Sequence, residues 1–264
     1  MNTFSSIKGQ SFQAHLHQTM KCTWDQFDIY CINLKSREDR HCHVTKLFKT
    51  LGIECTMVRV DKHDIPKIGL LESCCLVFEM YLASNTEKHL LLFEDDIIVG
   101  DATTFNYDQI NRFMRSVDDW DVLRLGMNKG LYLQEFEHAF RCNALGNHAI
   151  VYNKCFVKVF LEYIKKQDSH VDWLVANATG KCYILKDQLF FQGNYGTDNF
   201  WGELEMNEFQ IDFQKCPIEY QKRYACEALT IWKEMKNKGE QEQIEMFKNW
   251  FQSESVVFEN KRMI

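Results

Sequence analysis

The alternation of apolar and polar positions divides the chain into short strands and amphipathic helices. Residues 28–34 (Asp-Ile-Tyr-Cys-Ile-Asn-Leu) alternate and are rich in strand formers, which predicts a first strand. Ser36, with Asp39 three residues on, resembles a capping box. Val44, Leu47, Phe48 and Leu51 then recur at i, i+3, i+4 and i+7, the stripe of an amphipathic helix, and Gly52 is placed to end it. Residues 55–60 predict a second strand, 68–82 a nearly continuous apolar and therefore buried helix, and 90–96 a third strand. Phe105, Ile110, Phe113, Met114 and Val117 predict a helix capped by Thr103 or Thr104. Residues 121–125 follow as a short strand, 126–143 as an irregular excursion, 148–152 as a strand, 155–164 and 172–178 as helices, and 182–185 as a strand. This order predicts an α/β sandwich built on a largely parallel sheet.

The pattern changes after Pro217. Residues 220–236 and 240–251 predict two helices separated by Gly239, with Ile244, Phe247 and Phe251 on one face. They form an expected helical hairpin that packs on the main domain or presents a face to a partner. The expected organisation is thus an N-terminal extension (1–27), a main domain (28–215) and a C-terminal helical extension (216–264). No internal repeat or low-complexity linker interrupts it.

Composition narrows the classes. With 264 residues, 45% of them hydrophobic, the chain can build one large domain or two small ones. A net charge of −6 argues against a dedicated nucleic-acid binder, while leaving room for a local basic pocket. The eleven cysteines are odd in number and scattered, with no Cys-x-x-Cys pair, which predicts buried thiols in a reducing compartment rather than a disulfide framework. His41-Cys42-His43 invites a zinc reading, but neighbours at i and i+2 of a helix point apart. The first residues hold no apolar signal core, and no apolar run approaches the ~20 residues of a membrane span. The expectation is a soluble, cytoplasmic protein without a membrane span.

The candidate chemistry sits in the run from His89 to Val99, where four apolar residues lead into Glu94-Asp95-Asp96. Unpaired carboxylates are costly to bury, so such a cluster needs cations or exposure. In open α/β sheets ligands gather outside the carboxyl ends of the strands. There an acidic cluster can hold a divalent metal, and the metal a diphosphate. The alternative is an acidic loop that happens to follow a strand.

Four blocks, in order, resemble glycosyltransferase family 25, the group of lipooligosaccharide and procollagen galactosyltransferases. The first is Ile29-Tyr30-Cys31-Ile32-Asn33-Leu34 with Arg37 and Arg40. The second is Lys67-Ile68-Gly69-Leu70-Leu71-Glu72-Ser73-Cys74, and the third is Leu91-Leu92-Phe93-Glu94-Asp95-Asp96. The fourth joins Trp120-Asp121-Val122-Leu123-Arg124-Leu125-Gly126, Ala149-Ile150-Val151-Tyr152 and Val171-Asp172-Trp173-Leu174. The likeness spans roughly residues 28–200. The second block departs from the family pattern, with Cys74 where the family has His and Leu70 where it has Cys.

The resemblance implies an A-type glycosyltransferase fold, Rossmann-like, and an inverting transfer of a sugar, galactose or glucose favoured. The donor is a UDP-sugar, the acceptor a glycan or glycoprotein hydroxyl, and the cofactor Mn²⁺ or Mg²⁺. Asp96 is implied as metal ligand, with Glu94 beside it or near the ribose, and His170 as a further member of the metal shell or a solvent-facing loop residue. Strand alternation puts Glu94 and Asp96 on one side and turns Asp95 away, toward backbone amides. Asn33, Leu34, Arg37 and Arg40 are implied at the nucleotide, where arginine suits phosphate; a solvated helix face is the alternative for both arginines. Asp172 is the candidate base for the acceptor hydroxyl, the alternative being an N-cap. Gln192 and Asp198 belong to a Gly-rich loop that suits a lid over the donor or an ordinary turn. Trp120 reads as core, and Tyr152 and Trp173 as groove or core. Two other functions stay open: a non-catalytic binding or scaffold relative, and a nucleotidyltransferase or phosphohydrolase using the same carboxylates.

Overall fold

The first strand forms as β1 (Phe27–Leu34), and its alternation sorts the core into two layers. Ile29 and Cys31 face one layer, Tyr30 and Ile32 the other. The computed structural model describes residues 24–100, 107–193 and 195. Trp24 and Phe27 are buried in the core. The predicted helices after Pro217, Thr103, Thr104 and Asp198 lie outside the described residues.

α1 (Glu38–Leu51) buries Val44, Phe48 and Leu51 and ends on Gly52, whose left-handed backbone (φ 63°) lets its N–H reach the last carbonyls. Its N-cap is Arg37, with no side-chain cap bond, which corrects the capping box expected from Ser36. β2 (Thr56–Val60) follows. α2 (Pro66–Ala83) starts on a proline, which has no N–H to lose there, and leads into β3 (His89–Glu94). The chain then turns through Asp95 and Asp96 into the short β4 (Ile97–Val99).

α3 (Asp108–Ser116) and β5 (Val122–Arg124) form as expected in kind. Residues 126–143 do not form an irregular excursion. β6 (Lys129–Glu135) and β7 (Ala139–Leu145) pair there as an antiparallel hairpin with a register shift between Tyr132 and Gln134. That shift breaks the two-residue period that would have marked the strand. β8 (Ala149–Tyr152), α4 (Lys154–Ile164), α5 (Val171–Ala178), β9 (Cys182–Leu185) and β10 (Phe190–Gln192) complete the described chain. Asn153 caps α4, its side chain accepting from the Cys155 N–H.

Eight strands make one mixed sheet in the order β2-β1-β3-β8-β5-β9-β7-β6. Only β8 and β7 run against the rest, so the sheet is mostly parallel in direction. α1 and α3 bury their apolar residues on one face, and α2, α4 and α5 on the other. The fold is therefore α/β and compatible with a Rossmann-like arrangement. The path from β1 through α1 to β2 leaves on one side of β1, and the return through α2 places β3 on the other. Strand order thus reverses between β1 and β3, the kind of crevice where open α/β sheets bind ligands. Among the described residues no helix is long and apolar enough to cross a membrane.

β10 pairs with β4 rather than with the main sheet, setting Gln192 opposite Ile97. Gly126, just after β5, permits this. A Cβ there would stand 2.0 Å from the Phe190 carbonyl oxygen and 2.6 Å from the His148 ring. Gly126→Ala is expected to lower stability by about 1–3 kcal/mol through that clash. Urea denaturation checks it: a lower midpoint at unchanged slope is the expected result, and an unchanged midpoint would reject so close an approach.

Candidate functional site

Alternation along β3 decides which acid faces which layer. Leu91 and Phe93 face the α1 layer, while Leu90 and Leu92 face the α2 layer. Glu94 continues on the α2 side. Asp95 turns to the α1 side, where Arg40 and Asn33 meet it rather than the backbone amides expected from the sequence. The Arg40 guanidinium lies 3.0 Å from Asp95 Oδ1, and Asn33 Nδ2 donates to Asp95 Oδ2 at 2.7 Å. Arg40 is 7% exposed, so the solvated-face alternative for it is overturned. Both Asp95 oxygens are engaged by protein groups, so its place is structural.

Asp96 sits in the turn between the two layers. Arg40 approaches its Oδ2 at 3.6 Å, and Gln192 Nε2 donates to the same oxygen at 3.0 Å. Its Oδ1 is buried and accepts no hydrogen bond among the described residues. The Glu94 carboxylate has no hydrogen-bond or ion-pair partner among the described residues, and Asp96, Asp172 and Asp95 are its strongest charged neighbours. Burial, then those three carboxylates, push the Glu94 carboxyl well above the usual range against the pull of Arg40. Burial also raises Asp96, opposed by Arg40 and by the Gln192 hydrogen bond.

Asp172 reaches the same crevice from α5. The N-cap of α5 is His170, so the alternative of Asp172 as cap is overturned. Asp172 Oδ1 instead accepts the Gly146 N–H at 2.6 Å, across the chain. Gly146 has φ +106°, and a Cβ there would stand 2.7 Å from the Asn128 nitrogen, so this donor depends on glycine. The Gly146 carbonyl in turn accepts from Arg124 at 2.6 Å. Arg124, fully buried on β5, has Asp172 as its neighbouring carboxylate. Sequence reading passed over Arg124 and Gly146; the signal for the first was a lone charge in an otherwise apolar strand.

The remaining candidates divide. Gln192 is brought to Asp96 and also accepts from Asn128 Nδ2 at 2.7 Å. Asn33 is saturated, since its Oδ1 accepts from Arg59 at 3.1 Å. The Leu34 carbonyl accepts the Arg37 N–H at 2.9 Å in the turn into α1. Arg37 pairs with Asp39 at 2.7 Å and donates to the Tyr195 carbonyl. His41 pairs with Glu38, while His43 reaches the Ile97 carbonyl and Tyr195, so the two rings part as helical spacing requires. Tyr152 is 1% exposed and packs on Phe78 and Phe160, which makes it core rather than groove. Trp120 is core too. Cys74, the departure in the second block, is buried on the Glu94 side, with Glu94 and Asp172 as charged neighbours.

Among the described residues no three His, Cys, Asp or Glu side chains are grouped as a ready metal cage, His170 included. The residues nevertheless fit a divalent cation of the kind that one or two carboxylates hold together with substrate phosphates. The unpartnered Asp96 Oδ1 is a buried acceptor, and Glu94 stands beside it as the acid most in need of a cation.

No family model matches the chain, and no curated protein matches it. Among solved structures it is similar to A197 from STIV, with 14% identity and a TM-score of 0.39 over 67% of this chain and 98% of that one.

Repulsion at Glu94 has a measurable sign. A carboxyl whose folded pKa is raised stabilises the fold at low pH and loses that contribution as pH rises through the raised value. His148 acts oppositely. It is buried, its Nε2–H donates to the Phe190 carbonyl at 3.2 Å, and burial lowers it to about 4. Its contribution is present above its ordinary value and is lost as pH falls toward 4. Comparing Glu94→Gln with wild type cancels the histidine. The variant is expected to be more stable than wild type at pH 8, because it removes the carboxylate that burial and its like-charged neighbours disfavour. That advantage should vanish below the ordinary carboxylate range, where Glu94 is protonated in both states. Chemical denaturation across this range checks it, and a pH-independent difference rejects the electrostatic cause.

Proposed function

We propose that this chain is a glycosyltransferase of the A-type fold that moves a sugar from a UDP-sugar to an acceptor hydroxyl with inversion, using a divalent metal. The observation that supports it is the meeting of Glu94, Asp96, Gln192 and Asp172 at the carboxyl ends of the strands, where strand order reverses. The ordered likeness to family 25 supplies the reaction class.

Asp96 and Glu94 would hold Mn²⁺ or Mg²⁺, which when bound offsets charge on the donor diphosphate and stabilises the leaving group. The protein's own groups do the rest. Gln192 holds Asp96 from β10. Arg40 neutralises Asp95, so that the turn carrying Asp96 can be buried. Asp172 takes the acceptor's hydroxyl proton, and the Gly146 N–H fixes the orientation of its carboxylate. The acceptor therefore enters from the α5 side, and the donor from the β1 side.

One observation favours a second reading, a non-catalytic relative that binds without turnover. Cys74 lies beside Glu94 and Asp172, so the substituted position borders the site.

UDP release with Mn²⁺ over a panel of UDP-sugars and acceptors separates the two. Wild type is expected to turn over, and Asp96→Ala to lose donor binding and activity together. Asp172→Asn should bind the donor normally but transfer about 10²–10⁴-fold more slowly, the usual worth of a general base. Donor binding without turnover in wild type would favour the second reading, and neither binding nor turnover would reject both. Mn²⁺ affinity should also rise as pH is raised above the ordinary carboxylate range, since ligands must lose their protons. Calorimetry in buffers of different ionisation enthalpy reads the released proton, and pH-independent affinity would remove Glu94 from the metal shell.

A further inference from the structure

A second chemical feature lies on the α2/α4/α5 face of the sheet. β7 and β9 run antiparallel with Ala139 opposite Leu185, Phe140 opposite Ile184 and Arg141 opposite Tyr183. The same register sets Cys142 directly opposite Cys182. Their sulfurs are 3.9 Å apart, and both residues are buried, at 3% and 1% exposure. Residues facing each other across an antiparallel ladder have Cα atoms ~4.5–5.5 Å apart. A disulfide spans Cα separations of ~4.4–6.8 Å. Closing the sulfurs therefore needs side-chain rotation and no strand movement.

We propose that Cys142 and Cys182 form a redox-active dithiol that closes to a cross-strand disulfide under peroxide. Among the described residues every cysteine is a free thiol, and this is the pair whose sulfurs hydrogen-bond to each other. The two thiols are not equivalent. The hydrogen bond from Cys142 lowers Cys182 to about 7, and the buried Arg124 guanidinium adds to that pull. Burial and the bond to Cys182 push Cys142 up. Cys182 is the nucleophile, because the thiolate is the reactive form.

The chemistry balances. The Cys182 thiolate attacks one oxygen of hydrogen peroxide, the O–O bond breaks, and sulfenic acid forms with release of water after proton uptake. The Cys142 sulfur then attacks the Cys182 sulfur, the S–O bond breaks, and a second water leaves with the thiol proton. Two thiols lose two electrons in all, and one peroxide gains them. Peroxide is small and neutral, so brief local opening of the strands around β7 and β9 admits it. The bond would tie residue 142 to residue 182, on two strands that flank β8, α4 and α5 in sequence.

Peptide mapping tests this on the full chain. Native protein is exposed to excess hydrogen peroxide, quenched in acid, alkylated under denaturing conditions and digested with trypsin. Cleavage after Arg141 and Lys181 isolates peptides 142–154 and 182–186, each holding one cysteine. The expected result is accumulation of these two peptides as one linked species that dithiothreitol separates. Recovery of both as alkylated or over-oxidised peptides, or linked only to other cysteines, overturns the proposal. So does linkage that appears only when oxidation is done in urea. In Cys182→Ser, Cys142 should be recovered alkylated after the same treatment, because the sulfenic acid that it would trap is missing. Formation of any peroxide-dependent Cys142 linkage in that variant would reject the assignment of Cys182 as nucleophile.

Discussion

The buried pair of Arg40 with Asp95 is the constraint on which the candidate site depends. Three consecutive carboxylates at the end of a buried strand would repel one another and strongly oppose burial. Arg40 comes from α1, and it reaches the acids because α1 packs directly after β1 with Val44 and Phe48 in the core. Its guanidinium is 3.0 Å from Asp95 and 3.6 Å from Asp96. Such a pair is weak evidence of net stability, since desolvation offsets much of the attraction. Its value here is positional. It fixes the turn that aims Asp96, while Asn33 holds the other Asp95 oxygen and is itself held by Arg59.

The end of β3 then serves two layers at once. Alternation sends Asp95 to the α1 layer and Glu94 to the α2 layer, and the turn leaves Asp96 between them. Each layer carries one buried arginine, Arg40 on the first and Arg124 on the second. Arg40 answers Asp95 directly. Arg124 acts at one remove, through the Gly146 peptide that it grips by the carbonyl and that grips Asp172 by the N–H. Gly146 is the joint in this arrangement, because its positive φ aims both groups.

Much of this was legible in the sequence, and the illegible parts have physical reasons. β1, α1 and β3 are one-sided or doubly buried elements with clean periodicity, so their place and kind follow from pattern alone. The acids at the end of β3 stand out by residue type, whereas Asp172 was singled out only through the likeness of its block to family 25. The β6–β7 hairpin was not, because its register shift at Tyr132 and Gln134 breaks the period. β10 is three residues long and pairs only with β4, too short for any periodic signal. The partners of Arg40 were illegible for another reason: ion pairing across 55 residues is a property of the assembled layers. A sequence shows an arginine suited to phosphate, and the fold spends it on a carboxylate.

That expenditure leaves the charge balance of the crevice unfinished. Glu94, Asp95, Asp96 and Asp172 meet there, against Arg40 on one side and Arg124 on the other. Arg40 is committed to Asp95 and shares itself with Asp96 at longer range. Arg124 is divided between Asp172 and the thiol of Cys182. Neither can answer Glu94, whose strongest neighbours are all of its own sign. The crevice therefore relieves itself in one of two ways: Glu94 keeps a proton, or a cation enters from outside. The two compete for the same carboxylate, so a cation held by Glu94 would have to displace its proton. A crevice whose own arginines were sufficient would have no such preference. The insufficiency of Arg40 and Arg124 is thus the physical feature that separates this acidic turn from a merely well-paired one.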